Sequence, residues 1–156
     1  MRKLITFILI IVLSVGGYAS PKKSFEIKRG VNLSHWLSQR GENTPSIQDG
    51  MSATDFSRIA RAGFDHVRLP IDEEVLWQEN GQKNKEAFSY LHKGIEWALK
   101  NDLRVIVDLH IVRSHYFNAG NEGKKNSLWE KPEAQTHFLA LWQDLVQELR
   151  SEERRV

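Results

Sequence analysis

Val105-Ile106-Val107-Asp108-Leu109-His110 is an unbroken apolar, β-branched run that ends in a polar pair and opens into a polar, aromatic loop. Such a run reads as a strand covered on both faces, the usual state of a parallel sheet packed under helices. Side chains alternate along a strand, so Ile106, Asp108 and His110 share one face while Val107 and Leu109 share the other. In parallel α/β sheets ligands gather at the carboxyl ends of strands, where Asp108 and His110 stand.

The same theme repeats on the N-terminal side. Residues 25–33 read as a first strand leading into Gly30-Val31-Asn32-Leu33-Ser34-His35-Trp36, and a Gly, Asn, Pro and Ser-rich loop runs on to Gly50. Ser52 or Thr54 caps a helix with Phe56, Ile59 and Ala60 on its apolar face, and Gly63 sits where a glycine ends it. Residues 64–69 read as a second strand stopped by Pro70. Residues 86–100 form a second helix that buries Phe88, Leu91, Ile95, Trp97, Ala98 and Leu99. The third strand covers residues 103–110. Pro132 then opens a third helix with a stripe of Phe138, Leu141, Trp142, Leu145, Val146 and Leu149. Strand and helix alternate throughout, which predicts an α/β fold with a parallel sheet. A doubly wound sheet wants a glycine-rich phosphate loop after its first strand, and no GxGxxG occurs. The other architecture is a (β/α)8 barrel, of which this chain supplies about three of eight units.

The chain has 156 residues, no cysteine and a formal net charge of +2. Met1-Arg2-Lys3 is a short basic start, residues 4–15 form an apolar run, and Gly17 and Ala19 are small. This predicts a signal peptide over residues 1–19, cut between Ala19 and Ser20, and a single domain over residues 20–156. A retained anchoring segment is the other reading, but the run falls short of the about 20 apolar residues of a membrane span. A secreted or periplasmic protein with no stable membrane anchor is expected. The missing cysteines exclude disulfides and thiolate sites. After the cut the charge falls to about zero with both signs interspersed, which leaves no footprint for nucleic acid.

Three successive strands finish in polar residues: Asn32 and His35, then Arg68, then Asp108 and His110. An inward arginine at a strand end is costly unless it meets an anion, either a ligand or a scaffold carboxylate such as Asp108. His110 reads either as a hydrogen-bonded core histidine or as a site residue, and its match with Arg68 favours the site. Asp108, one layer deeper, reads as orienting His110 or Arg68. Aromatic residues flank these ends, and flat rings with a polar edge suit a sugar. Trp36 and Tyr116 read as the better ligand residues; Trp129 reads as core under a long loop, and Trp77 as either. His110 and His115 are five apart with no third ligand at a recognisable spacing, so no metal or other cofactor is expected. Asp72, Glu73 and Glu74 read as solvated loop charges or as a cap for the short turn that follows.

Three segments, Arg29-Gly30-Val31-Asn32-Leu33-Ser34-His35-Trp36-Leu37, Ala62-Gly63-Phe64-Asp65-His66-Val67-Arg68-Leu69-Pro70 and Val105–His110, resemble glycoside hydrolase family 5, the cellulase family. Their order and spacing carry the resemblance across nearly all of the chain after residue 20. It implies a (β/α)8 barrel and a retaining mechanism with one glutamate as nucleophile and another as acid, then base. By this resemblance Arg68 supports the nucleophile and His110 lines the subsite before the scissile bond. His115 or Tyr116 falls where the family places sugar-contacting loop residues. The family's acid/base glutamate follows an asparagine at the end of strand 4, and its nucleophile ends strand 7. No matching segment occurs, and Asn121-Glu122 precedes the third helix. The resemblance therefore implies an N-terminal part of a secreted glycosidase acting on a β-linked polysaccharide, lacking both catalytic glutamates and inactive alone. The alternative is a non-catalytic carbohydrate-binding or interaction protein.

Overall fold

The computed structural model describes residues 26–116 and 126–150. The expected signal segment, its cut site, Phe117 and Asn121-Glu122 lie outside the described residues. Strands β1 (Gly30–Asn32), β2 (His66–Asp72) and β3 (Arg104–Ile111) form one parallel sheet in the order β1-β2-β3. Helices α1 (Ile47–Gly50) and α2 (Ala53–Arg61) lie between β1 and β2 in the chain. Helices α3 (Glu73–Leu76) and α4 (Lys85–Leu99) lie between β2 and β3, and α5 (Pro132–Leu149) follows β3.

Local chemistry sets the helix ends. The Asp55 carboxylate accepts the Ser52 N–H at 3.0 Å and the Ser52 hydroxyl at 2.7 Å, so Ser52, not Thr54, closes the start of α2. Gly63, at φ +82°, donates its N–H to the Ala60 carbonyl at 2.9 Å and turns the chain towards β2. Asn84 caps α4 by accepting the Ala87 N–H, and Pro132 stands in the first turn of α5.

The register pairs Asn32 with Arg68 and Arg68 with Ile106, so even-numbered residues share one face of the sheet. The odd-numbered face carries Val67, Leu69 and Ile71, which are buried in one cluster with Phe56 of α2 and Leu91, Ile95 and Ala98 of α4. The core therefore lies between the sheet and the helices, and the opposite face keeps the polar row. From α5, Leu141 and Leu145 join the core, while Val146 of the expected stripe is exposed.

Two strand boundaries differ from the sequence expectation. β1 is confined to three residues because the Lys28 and Arg29 N–H groups bond to the Asp65 carboxylate instead of a ladder. β2 runs through Pro70 to Asp72. The Arg68 carbonyl accepts from Leu33 N–H at 3.0 Å, and Asp72 N–H donates to the Leu37 carbonyl at 2.9 Å. Peptide groups in phase with these, Pro70 included, face β1. Between Leu33 and Leu37 the chain has left the sheet, so the N–H that proline lacks has no ladder partner to lose.

Candidate active-site support

The carboxyl end of the sheet brings Asn32, Arg68, Asp108 and His110 together. Arg68 Nη1 donates to Asn32 Oδ1 of β1, and Arg68 Nη2 forms an ion pair with Asp108 of β3. His110 Nδ1 lies 3.2 Å from Arg68 Nη2 and 3.1 Å from Asp108 Oδ2. The scaffold reading of Arg68 and the site reading thus hold at once: its anion is Asp108, and the pair fixes residues from three strands. All three side chains keep partial solvent access, with Arg68 36% exposed, Asp108 31% and His110 23%. With its Oδ1 taken by the guanidinium, Asn32 has its amide N–H groups to offer a ligand.

A register shift sharpens this end. Ile71 pairs with Leu109 and the next residue, Asp72, pairs with Ile111, so His110 is the extra residue of a bulge. A bulge re-aims the side chain it carries, and bulges recur beside active sites.

Asp72 is buried at this bulge and accepts the Gln39 N–H, while its Oδ1 has no hydrogen-bonding partner. Burial pushes its carboxyl up to about 6, against the pull of the Gln39 N–H and the His110 charge. The loop it grips holds two left-handed non-glycine residues, His35 at φ 60° and Gln39 at φ 48°, linked by His35 Nδ1 and the Gln39 carbonyl at 3.0 Å. His35 itself is exposed, and its ring bonds to its own loop, not to the Arg68 row.

Several aromatic and acidic expectations are corrected. Trp36 is 1% exposed and belongs to the core, stacked on Trp97 with Nε1 donating to the Ile47 carbonyl at 2.8 Å. It lies on the helix side of the sheet and offers no face to a sugar, because the chain after Leu33 turns back over α4. Trp77, left open by the sequence, is core, with Nε1 donating to Asp144. Trp129 is the reverse of its expectation, at 72% exposed. Glu73 is no solvated loop charge: its side chain is 1% exposed. It accepts the Arg113 N–H at 2.8 Å, Arg113 Nη1 at 2.6 Å and His137 Nε2 at 2.7 Å. Burial alone would raise its carboxyl; the bonds from His137 and Arg113 outweigh that and hold it below the usual range. No local pattern marks this clamp, since its partners lie 40 and 64 positions away.

His115 and Tyr116 follow β3 directly. His115 closes a tight turn with Val112 and its Nδ1 lies 2.6 Å from Asn126 Oδ1. The Tyr116 hydroxyl donates to Glu74 at 3.0 Å, and burial followed by that carboxylate raises its pKa. Among the described residues, no three His, Asp or Glu side chains gather to hold a metal ion.

The sequence and fold that carry this polar row are similar to known proteins. The family described as Cellulase (glycosyl hydrolase family 5) matches residues 26–156. The chain belongs to glycosyl hydrolase family 5. It is 30% identical over 124 residues to cellodextrinase A of Ruminococcus flavefaciens, covering 80% of this chain and 36% of that protein. With endoglucanase C of Acetivibrio thermocellus it shares 32% over 122 residues, covering 76% and 35%. Among solved structures, the clostridial cellulose synthase subunit Z of Clostridioides difficile superimposes with a TM-score of 0.60 at 26% identity, covering 81% of this chain and 38% of that one. Thermotoga maritima Cel5A, solved with mannotriose, gives 0.57 at 25%, covering 79% and 36%. The chain spans little more than a third of the length of these family 5 relatives, and its three parallel βα units make a partial TIM barrel.

Proposed function

We propose that the protein carrying this chain is an exported, retaining glycoside hydrolase that cleaves a β-linked polysaccharide, and that these units form the supporting wall of its cleft. The observation that carries this reading is Arg68, joined to Asn32, Asp108 and His110 at the carboxyl end of the sheet in a family 5 chain. A retaining glycosidase needs two carboxyl groups about 5–5.5 Å apart, one of them free to attack. Asp108 is bonded to Arg68, and Glu73 is buried with its oxygens bonded to Arg113 and His137, so neither is free to attack a sugar. The polar row instead orients sugar hydroxyls and presents the guanidinium N–H groups of Arg68 beside the reacting carboxylates, which would follow later strands. Export is supported by the basic start and apolar run of residues 1–15.

The test is expression of the complete natural reading frame through and beyond these codons, followed by reducing-sugar release from carboxymethylcellulose, mixed-linkage glucan and glucomannan. Hydrolysis with retained anomeric configuration, by NMR of the first product, is the expected result. No release from any β-glycan sinks the reading, and binding without release would establish a carbohydrate-binding protein in its place. N-terminal sequencing of the secreted product is expected to begin at Ser20.

A further inference from the structure

Of the five tryptophans in the chain, Trp36 and Trp77 are buried and Trp97 and Trp142 pack against the core. Trp129 alone stands in solvent, 72% exposed. Tryptophan is highly buried on average, so a ring left open is informative when its backbone is held firmly.

The frame around Trp129 is held at several points. Its neighbour Leu128 is buried, and Leu128 N–H donates to the Ser114 carbonyl at 3.0 Å. Glu130 and Lys131 N–H both donate to the Ser127 carbonyl, at 3.1 and 2.9 Å, in the turn that leads into α5. On the other side, Val112 and His115 exchange two backbone bonds, and Arg113 is clamped on buried Glu73. These contacts bring His115 against Trp129 edge to face, with ring centroids 5.8 Å apart and planes at 78°. His115 is in turn fixed to Asn126 at 2.6 Å. The result is an exposed indole with a hydrogen-bonding imidazole and carboxamide beside it.

An apolar plane bordered by polar groups matches one chemical class well. A β-linked gluco-configured pyranose has its ring substituents equatorial, which leaves C–H bonds on both faces and hydroxyls around the rim. The indole takes the C–H face and the polar edge takes hydroxyls. His115 lies four residues beyond Ile111, the end of β3, so the platform follows the carboxyl end of that strand.

We infer that Trp129, with His115 and Asn126 at its edge, is a stacking platform for a distal glucopyranose unit of a β-glucan chain. This rests on the glycosidase reading above for its substrate class, and extends it to a subsite away from the reacting bond. The platform strengthens the hold on long chains and leaves short substrates unaffected.

The experiment compares the wild-type complete protein with Trp129→Ala, Trp129→Gln and Trp129→Phe, after thermal melts confirm equal folding. Retention is measured by affinity electrophoresis through gels containing hydroxyethylcellulose, and kinetics on an aryl cellobioside alongside. The expected result is roughly three- to tenfold weaker retention for the Ala and Gln variants, largely restored by Phe, with cellobioside kinetics unchanged. Unchanged retention in both Ala and Gln variants overturns the platform, whether or not the protein hydrolyses anything. Equal losses on polymer and cellobioside also overturn it, because the ring would then act at the reacting bond. Retention that depends on Trp129 in a protein that releases no sugar would sink the glycosidase reading and leave the platform standing.

Discussion

Arg68 bonds outward to β1 through Asn32 and to β3 through Asp108, with His110 against the same nitrogen. Removing the guanidinium leaves Asp108 without its cation and unties Asn32 of β1 from Asp108 and His110 of β3, so Arg68→Ala should lower kcat/KM on a β-glucan by on the order of 10²-fold with the fold retained. Steady-state kinetics on the complete protein decide this; an unchanged value would remove Arg68 from the site. Trp36 makes the opposite prediction. Trp36→Ala empties a core position and should cost about 3–5 kcal/mol in urea unfolding while leaving retention on hydroxyethylcellulose untouched in protein that still folds. Asp72 adds a pH dependence of known sign. Its carboxyl is raised to about 6 in the folded protein, so the native state holds the proton more tightly than the unfolded chain does. Its contribution is fully favourable below about pH 4 and is lost as pH rises towards 6, a swing of the order of 3 kcal/mol. Asp72→Asn should therefore gain stability over wild type progressively from pH 4 to 6 in urea titrations. A difference that stays flat with pH would show that Asp72 does not titrate in this way.

At the scale of elements, α4 and the sheet close on Trp36. Glycine inside a helix normally costs about 1 kcal/mol against alanine. Here a Cβ at Gly94 would stand 2.9 Å from Trp36 Cζ3 and 3.0 Å from Cη2, and the ring is stacked on Trp97 with its Nε1 bonded to the Ile47 carbonyl. Gly94→Ala should thus destabilise by about 1–3 kcal/mol instead of stabilising, a reversal that thermal melts would reveal. The element types and their order were legible from period and caps: the apolar spacing of α4, a cap at Ser52 or Thr54, Gly63 and Pro132 each act locally. Strand ends were less legible. Pro70 stops a strand only where its missing N–H would have had a partner, and that depends on where β1 leaves the sheet.

Across the whole molecule, the described sheet has β1 and β3 at its edges, and Arg68, Asp108 and His110 on its even-numbered face keep partial solvent access. Leu139 and Val146 of α5 are each 60% exposed. Unpaired edges and open apolar surface favour association. The isolated 156-residue chain is expected to bind a hydrophobic dye and to aggregate on heating; a sharp, reversible, monomeric melt would contradict this. Residue pattern alone determined the parallel α/β class and the polar strand ends of Asn32, Arg68, Asp108 and His110, because period, caps and strand-end chemistry are local properties of the chain. The family was legible only as a resemblance of three motif segments in order. Tertiary structure alone decided which tryptophan is core and which is open, and that Glu73 is a buried clamp. Those outcomes depend on contacts between residues tens of positions apart, and a side chain's own chemistry is the same whether the fold covers it or leaves it in water.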